Sequence, residues 1–247
     1  MDDTAIFGRL VEKFSAKSSE VDMENYGNEI LQTLMDLESE MKPDPYYIDK
    51  QIQMDWSHRS TLIEWIAEVH QRLHLVPEML FLCANCIDRF LSCKTINIER
   101  LQLVGITALF IAAKYEEVRP PPITDMIYWA DDSCTDTELK SAERMMLSKL
   151  EFQLGRPSPI DFFAWIGQTG GYSPKAHAVT QYFLEVTIID ACFLNHPPSL
   201  IAGGAYALAR IMLSEDSQVR SVHCWVAASL TRALVPSSYL LSGIHFC

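Results

Sequence analysis

The stretch Leu101 to Ala113, LQLVGITALFIAA, constrains this chain more than any other. Thirteen consecutive residues carry no charge, and no sector of a helical wheel is kept for charged groups. A helix that is apolar all round is buried all round. At 1.5 Å per residue it spans about 20 Å, enough to thread a small domain and too short to cross a bilayer. Gly105, Ala108, Ala112 and Ala113 keep it thin, so neighbouring helices can approach closely. Lys114-Tyr115-Glu116-Glu117 then turns the chain polar, and Pro120-Pro121-Pro122 cannot continue a helix. The expected centre of the fold is a rod wrapped by other helices and ending in a charged, exposed corner.

The flanking patterns are helical as well. Tyr26, Ile30, Leu31, Leu34, Leu37 and Met41 recur at helical spacing in an acidic segment that Pro43 and Pro45 end. Leu62, Trp65, Ile66, Val69 and Leu73 share one face of a helix beginning near Ser57. Pro77 suits the first position of a further helix carrying Leu80, Ala84, Ile87 and Leu91. Asn97 is placed as N-cap of the rod. A short helix is expected over Ile123 to Trp129, and Thr135-x-x-Glu138 is a capping box opening another through Leu150.

The second half repeats this plan weakly. Ser158-Pro159 and Ser173-Pro174 each read as an N-cap followed by Pro. Ile189-Asp190, in a helix expected over 174–193, echoes Ile87-Asp88, and AGGAYALAR (Ala202 to Arg210) echoes the rod. The period is about 95–100 residues, and only the first copy has a fully developed rod. No convincing strand alternation appears. The expected fold is all-α: two tandem five-helix bundles preceded by an N-terminal amphipathic helix. The boundaries are a lead-in at 1–22, helix and linker at 23–53, a first bundle at 54–153 and a second at 154–247.

Composition narrows the function. Hydrophobic residues at 49% and charged ones at 21% fit a chain with a substantial core. The net charge is −12, and residues 1–50 hold 12 acids against 5 bases. That balance opposes nonspecific nucleic-acid binding, which depends on basic groups neutralising phosphates. The seven cysteines form no disulfide-like framework, and the first twenty residues lack a signal-peptide core, so a reducing compartment is expected. No apolar stretch reaches 18 residues, so no membrane span is expected.

Cys83-Ala-Asn-Cys86 has redox or zinc spacing, but it lies within a predicted helix without a second pair, and core packing is preferred. His70 and His74 stand at i, i+4 without a third ligand, which reads as ordinary helix surface. There is no phosphate loop, nucleophile elbow or kinase signature. Neither a metal nor a cofactor is expected, and the chain is not read as an enzyme. Arg59 and Asp88 are ionisable groups in apolar helices. They are either a buried pair, whose breakage would cost about 3–5 kcal/mol, or two unrelated surface charges.

Several segments resemble cyclins, specifically the B-type mitotic cyclins of fungi. They are RSTLIEWIAEVH (59–70), LCANCIDRFLS (82–92), LQLVGITALFIAAKYEEVRPP (101–121), AERMMLSKLEFQLGRPSP (142–159) and QYFLEVTIIDACFLNHPPSLIAGGAYALARIML (181–213). The resemblance covers about four fifths of the chain, and KYEE followed by Pro-Pro is among its most specific parts. It implies a regulatory subunit that activates a cyclin-dependent serine/threonine kinase at the G2/M transition, in nucleus and cytoplasm. A cyclin-fold scaffold in transcription, or one serving a non-mitotic kinase, is the alternative.

The resemblance also implies residue roles. Arg59 and Asp88 correspond to the pair that ties the first box together, and Leu103 to a core leucine of the rod. Tyr26, Ile30, Lys114, Glu117 and Glu143 correspond to kinase-contacting positions. Thr61, Leu62, Trp65, Leu101 and Gln102 correspond to a groove for Arg-x-Leu peptides of substrates or inhibitors, with Glu68 and Asp131 placed to meet the peptide arginine. The family's Met-Arg-Ala-Ile-Leu is here His58-Arg59-Ser60-Thr61-Leu62, so two apolar groove positions are polar. Residues 1–22 contain no destruction box, and the tail after about Gln218 lacks the acidic pattern expected late in the second box.

Overall fold

The computed structural model describes residues 21–169 and 173–213. Among the described residues the chain forms nine α-helices and no strand. They are α1 (Val21–Glu40), α2 (Trp56–Arg72), α3 (Pro77–Cys93), α4 (Leu101–Glu116), α5 (Ile123–Trp129), α6 (Asp136–Lys149), α7 (Pro159–Thr169), α8 (Pro174–Ile189) and α9 (Pro198–Met212). The chain divides into two compact units. One is Leu37–Ser158; the other takes in the described residues from Pro159 onward with those up to Asp36.

In the unit Leu37–Ser158, α4 is the centre, packed by α2, α3, α5 and α6. Leu101 and every residue from Val104 to Ala113 are buried. Gly105 is what lets α2 come close. A Cβ built there would lie 2.7 Å from Leu62 Cδ1 and 3.4 Å from Ile66 Cδ1. Asp55 opens α2 with a capping box completed by His58, and Thr135 and Glu138 do the same for α6. In the other unit, α9 packs on α7 and α8. Ser173 caps α8, its hydroxyl accepting from the Ala176 N–H.

Four expectations need correction. Asn97 does not cap the rod: a 3-10 turn, Ile98–Arg100, stands between them, and the Asn97 side chain makes no capping bond. Asp190 lies outside α8, which ends at Ile189, and its carboxylate accepts from Cys192 N–H to start a 3-10 turn. Among the described residues, the echo of Ile87-Asp88 therefore has no buried ion pair behind it. The second rod is well developed, with every residue from Ala202 to Ala209 buried: six small residues allow close packing, and Tyr206 and Leu208 are buried among them. Leu103 is half-buried, not core, because its side of α4 faces a gap between α3 and α6. The tail after Gln218, and with it the last helices expected in the second bundle, lies outside the described residues.

Candidate functional site

The unit Leu37–Ser158 is tied together by three side chains. Arg59 gives Asp88 two parallel hydrogen bonds, Nε to Oδ1 at 2.7 Å and an Nη to Oδ2 at 2.8 Å. The Tyr47 hydroxyl donates to the same Oδ1 at 2.9 Å. All three residues are buried. Burial opposes the Arg59 charge, but the Asp88 carboxylate more than offsets that and the guanidinium stays ionised. Burial, reinforced by the Asp88 charge, pushes the Tyr47 phenol up, so it remains a donor. Tyr47 carried no sequence signal; it stands in a short 3-10 turn and packs edge-on to Trp56.

Two surfaces are built on this frame, one at each end of α4. At the C-terminal end Lys114 pairs with Glu143 of α6 and lies 4.1 Å from the Phe110 ring centroid. Beside it Tyr115 is 53% exposed. The corner after α6 turns through two consecutive left-handed residues, Glu151 (φ 54°) and Phe152 (φ 58°). Such backbone costs roughly 1–2 kcal/mol per non-glycine residue. Arg89 holds the corner, donating to the Gln153 carbonyl at 2.7 Å. The corner leaves Phe152 70% exposed. The Tyr115 hydroxyl would lie 3.2 Å from a Cβ at Gly155, so the corner meets the end of α4.

Glu117 is engaged within the chain. Its carboxylate accepts from the Val76 N–H at 2.8 Å, serving the start of α3. On α1, Ile30 is 51% exposed while Leu31 is buried. The Tyr26 side chain lies outside the described residues.

At the N-terminal end of α4, Gln102 donates from Nε2 to the Ala130 carbonyl at 3.3 Å. That bond fixes the end of α5, where Asp131 follows in left-handed backbone (φ 53°) and is exposed. Leu101 is buried, and so is Leu62, turned against Gly105. They supply a floor, whereas Thr61 is exposed and Trp65 half-buried. Glu68 is exposed and weakly paired with Arg72 at 3.3 Å. Of the polar residues expected here, Thr61, Glu68 and Asp131 are exposed, with Glu68 turned to Arg72.

Cys83 and Cys86 are buried thiols, and burial pushes Cys86 up to about 12. His70 bonds the Val76 carbonyl at 2.9 Å, while His74 has left the helix with φ 53°. Among the described residues, no group of three or more His, Cys, Asp and Glu is placed to hold a metal ion.

The model of the cyclin N-terminal domain matches residues 29–155, and that of the cyclin C-terminal domain matches residues 157–231. The chain belongs to the cyclin family. It is 43% identical over 189 residues to G2/mitotic-specific cyclin-3 of Saccharomyces cerevisiae, covering 76% of this chain and 44% of that one. It is 40% identical over 216 residues to G2/mitotic-specific cyclin-4 of Candida albicans, covering 87% and 44%. The chain thus spans less than half the length of these relatives. A crystal structure of a viral cyclin from herpesvirus saimiri shares the fold, with a TM-score of 0.73 at 17% identity, over 83% of this cyclin and 94% of the viral one.

Proposed function

We propose that this cyclin is a regulatory subunit that binds and activates a mitotic-type cyclin-dependent serine/threonine kinase at the G2/M transition. The observation that carries this reading is the face at the C-terminal end of α4. There the Lys114–Glu143 pair stands next to the exposed Tyr115, whose hydroxyl reaches the corner that exposes Phe152. The relatives' designation as G2/mitotic-specific cyclins supports the choice of kinase class.

The cyclin supplies no catalytic group. Its task is to bind one arrangement of the kinase better than the other. Pressed on the kinase's mobile helix, this face holds the helix's glutamate against the ATP-orienting lysine and favours the open activation segment. Moving a kinase from 1:99 to 99:1 active takes about 5.5 kcal/mol of differential binding. Two buried rings and a desolvated ion pair on a preformed surface are of the right order. Ile30 and Tyr26 on α1 are kinase contacts in their own right in this reading.

The surface at the other end of α4 docks Arg-x-Leu segments of substrates or inhibitors. Glu68 and Asp131 meet the arginine, and Trp65 meets the leucine. With Thr61 exposed where the family has an apolar side chain, that docking is weaker or differently selective than in relatives. The site of action is nucleus and cytoplasm, without nucleic-acid or membrane binding. The net charge of −12 supports the first exclusion, and no described helix is long and apolar enough to cross a membrane.

Histone-kinase activity of a purified mitotic cyclin-dependent kinase, with and without this chain, tests the proposal. Strong activation is expected, and it should be lost in Lys114→Ala/Glu143→Ala while the thermal melt of the variant shows a folded protein. A folded parent chain that neither binds nor activates the kinase overturns it.

A further inference from the structure

On the side of α4 away from the groove there is a second concave surface. The end of α3, the connection 94–100 and α6 enclose an open pocket of about 480 Å³. That size lies within the roughly 300–1,000 Å³ of ligand sites. Phe90, Leu103 and Met146 line its depth, and Lys94, Asn97 and Arg100 stand at its rim.

The pocket is separate from both surfaces described above. Leu103 is two residues from Leu101 and from Gly105, hence about 200° round α4 from the side that meets α2. Met145 is likewise two residues from Glu143 and about 200° round α6 from the Lys114 contact. Its wall is held without an occupant. The Gln51 carboxamide donates to the Leu91 and Lys94 carbonyls at 2.8 and 2.9 Å and accepts from the Ile96 N–H at 3.1 Å. A wall held in advance lowers the ordering cost of binding.

The charge at the rim indicates the occupant. The chain as a whole is strongly acidic, yet this pocket is lined by two cations, Lys94 and Arg100, against one carboxylate, Glu138. Lys94 directs its ammonium at the Met145 thioether, a weak acceptor, and pairs with no carboxylate among the described residues. Arg100 gives one N–H to Glu138 at 3.3 Å and is otherwise in solvent. Met145 itself is 43% exposed.

We propose that this pocket is a second peptide-docking site. It takes an extended segment of a partner protein in which an apolar side chain enters between Leu103 and Met145 while neighbouring carboxylates pair with Lys94 and Arg100. Its chemistry is the reverse of the groove's: a net positive rim, with Lys94 paired to no carboxylate among the described residues, selects acidic segments, whereas Glu68 and Asp131 select an arginine. The inference does not depend on kinase activation.

The test selects displayed random twelve-residue peptides on the immobilised full chain. Enriched peptides are then measured by fluorescence anisotropy against the parent, Lys94→Glu and Thr61→Arg. A class rich in Asp and Glu beside Leu, Ile or Phe is expected. It should bind Lys94→Glu at least tenfold more weakly and Thr61→Arg unchanged, and its affinity should fall with added salt. Replacing its acids by lysine should restore binding to Lys94→Glu, which separates charge pairing from misfolding. If no acidic–apolar class is enriched, the proposal is overturned. The same follows if the enriched class ignores Lys94→Glu or is lost on Thr61→Arg.

Discussion

At the residue scale the fold depends most on Asp88, which accepts from Arg59 and Tyr47 at once. Asp88→Ala would leave a buried guanidinium without a counter-charge. The expected loss is about 3–5 kcal/mol, read as a lower urea midpoint with an unchanged slope. Arg59 and Asp88 stood out in the sequence because charges are rare within apolar helices. Tyr47 did not, because a tyrosine after Pro43 and Pro45 carries no sign of whether it turns in or out. Asp55 behaves differently. The Ser57 hydroxyl and the His58 N–H hold its carboxyl down at about 2, below its ordinary 3.8. Its contribution is therefore full above about pH 4 and lost as the pH falls through 2. The stability gap between the parent and Asp55→Ala, followed by urea titration from pH 5 to pH 2, should narrow towards the acid end.

At the scale of elements, α4 was legible because an uncharged run of this length can only be buried. Its ends were less so: the 3-10 turn at Ile98–Arg100 separates Asn97 from the helix it seemed placed to cap. Which side of α4 faces a gap was not legible at all. An all-apolar wheel gives no preferred direction, so Leu103 looked like its neighbours. The two exposed rings, Tyr115 and Phe152, were hidden for another reason. Tyr115 sits among charges, and Phe152 is exposed by a left-handed corner that no glycine announces. Gly105 supplies the test of α2–α4 packing. Gly105→Val sets extra methyl groups against Leu62 and Ile66 and should cost about 1–3 kcal/mol. A thermal melt would show a drop of about 2–4 °C per kcal/mol. Because Leu62 is the side chain displaced, the variant should also alter the proposed Arg-x-Leu docking, which Thr61 substitutions would change without loss of stability.

At the scale of the whole molecule, the two units each contain a helix buried along most of its length, α4 and α9. Their matching small residues made the repeat visible in sequence. In the proposed function α4 carries the kinase face at one end and the substrate groove at the other. Twelve residues separate Gln102 from Lys114, or about 18 Å of helix at 1.5 Å per residue. Packed from four directions, that length cannot stretch or bend with the substrate, so α4 acts as a ruler. A docked motif gains the kinase only if its tether spans a set distance, and the gain then decays as the tether lengthens and local concentration falls. In substrate peptides that move the phosphorylated serine stepwise away from an Arg-x-Leu motif, turnover by the complex should jump at a threshold length and decline slowly beyond it. A rate indifferent to spacing would mean that docking and catalysis are not joined through this helix. If the threshold holds, substrate choice by this protein is partly a reading of distance.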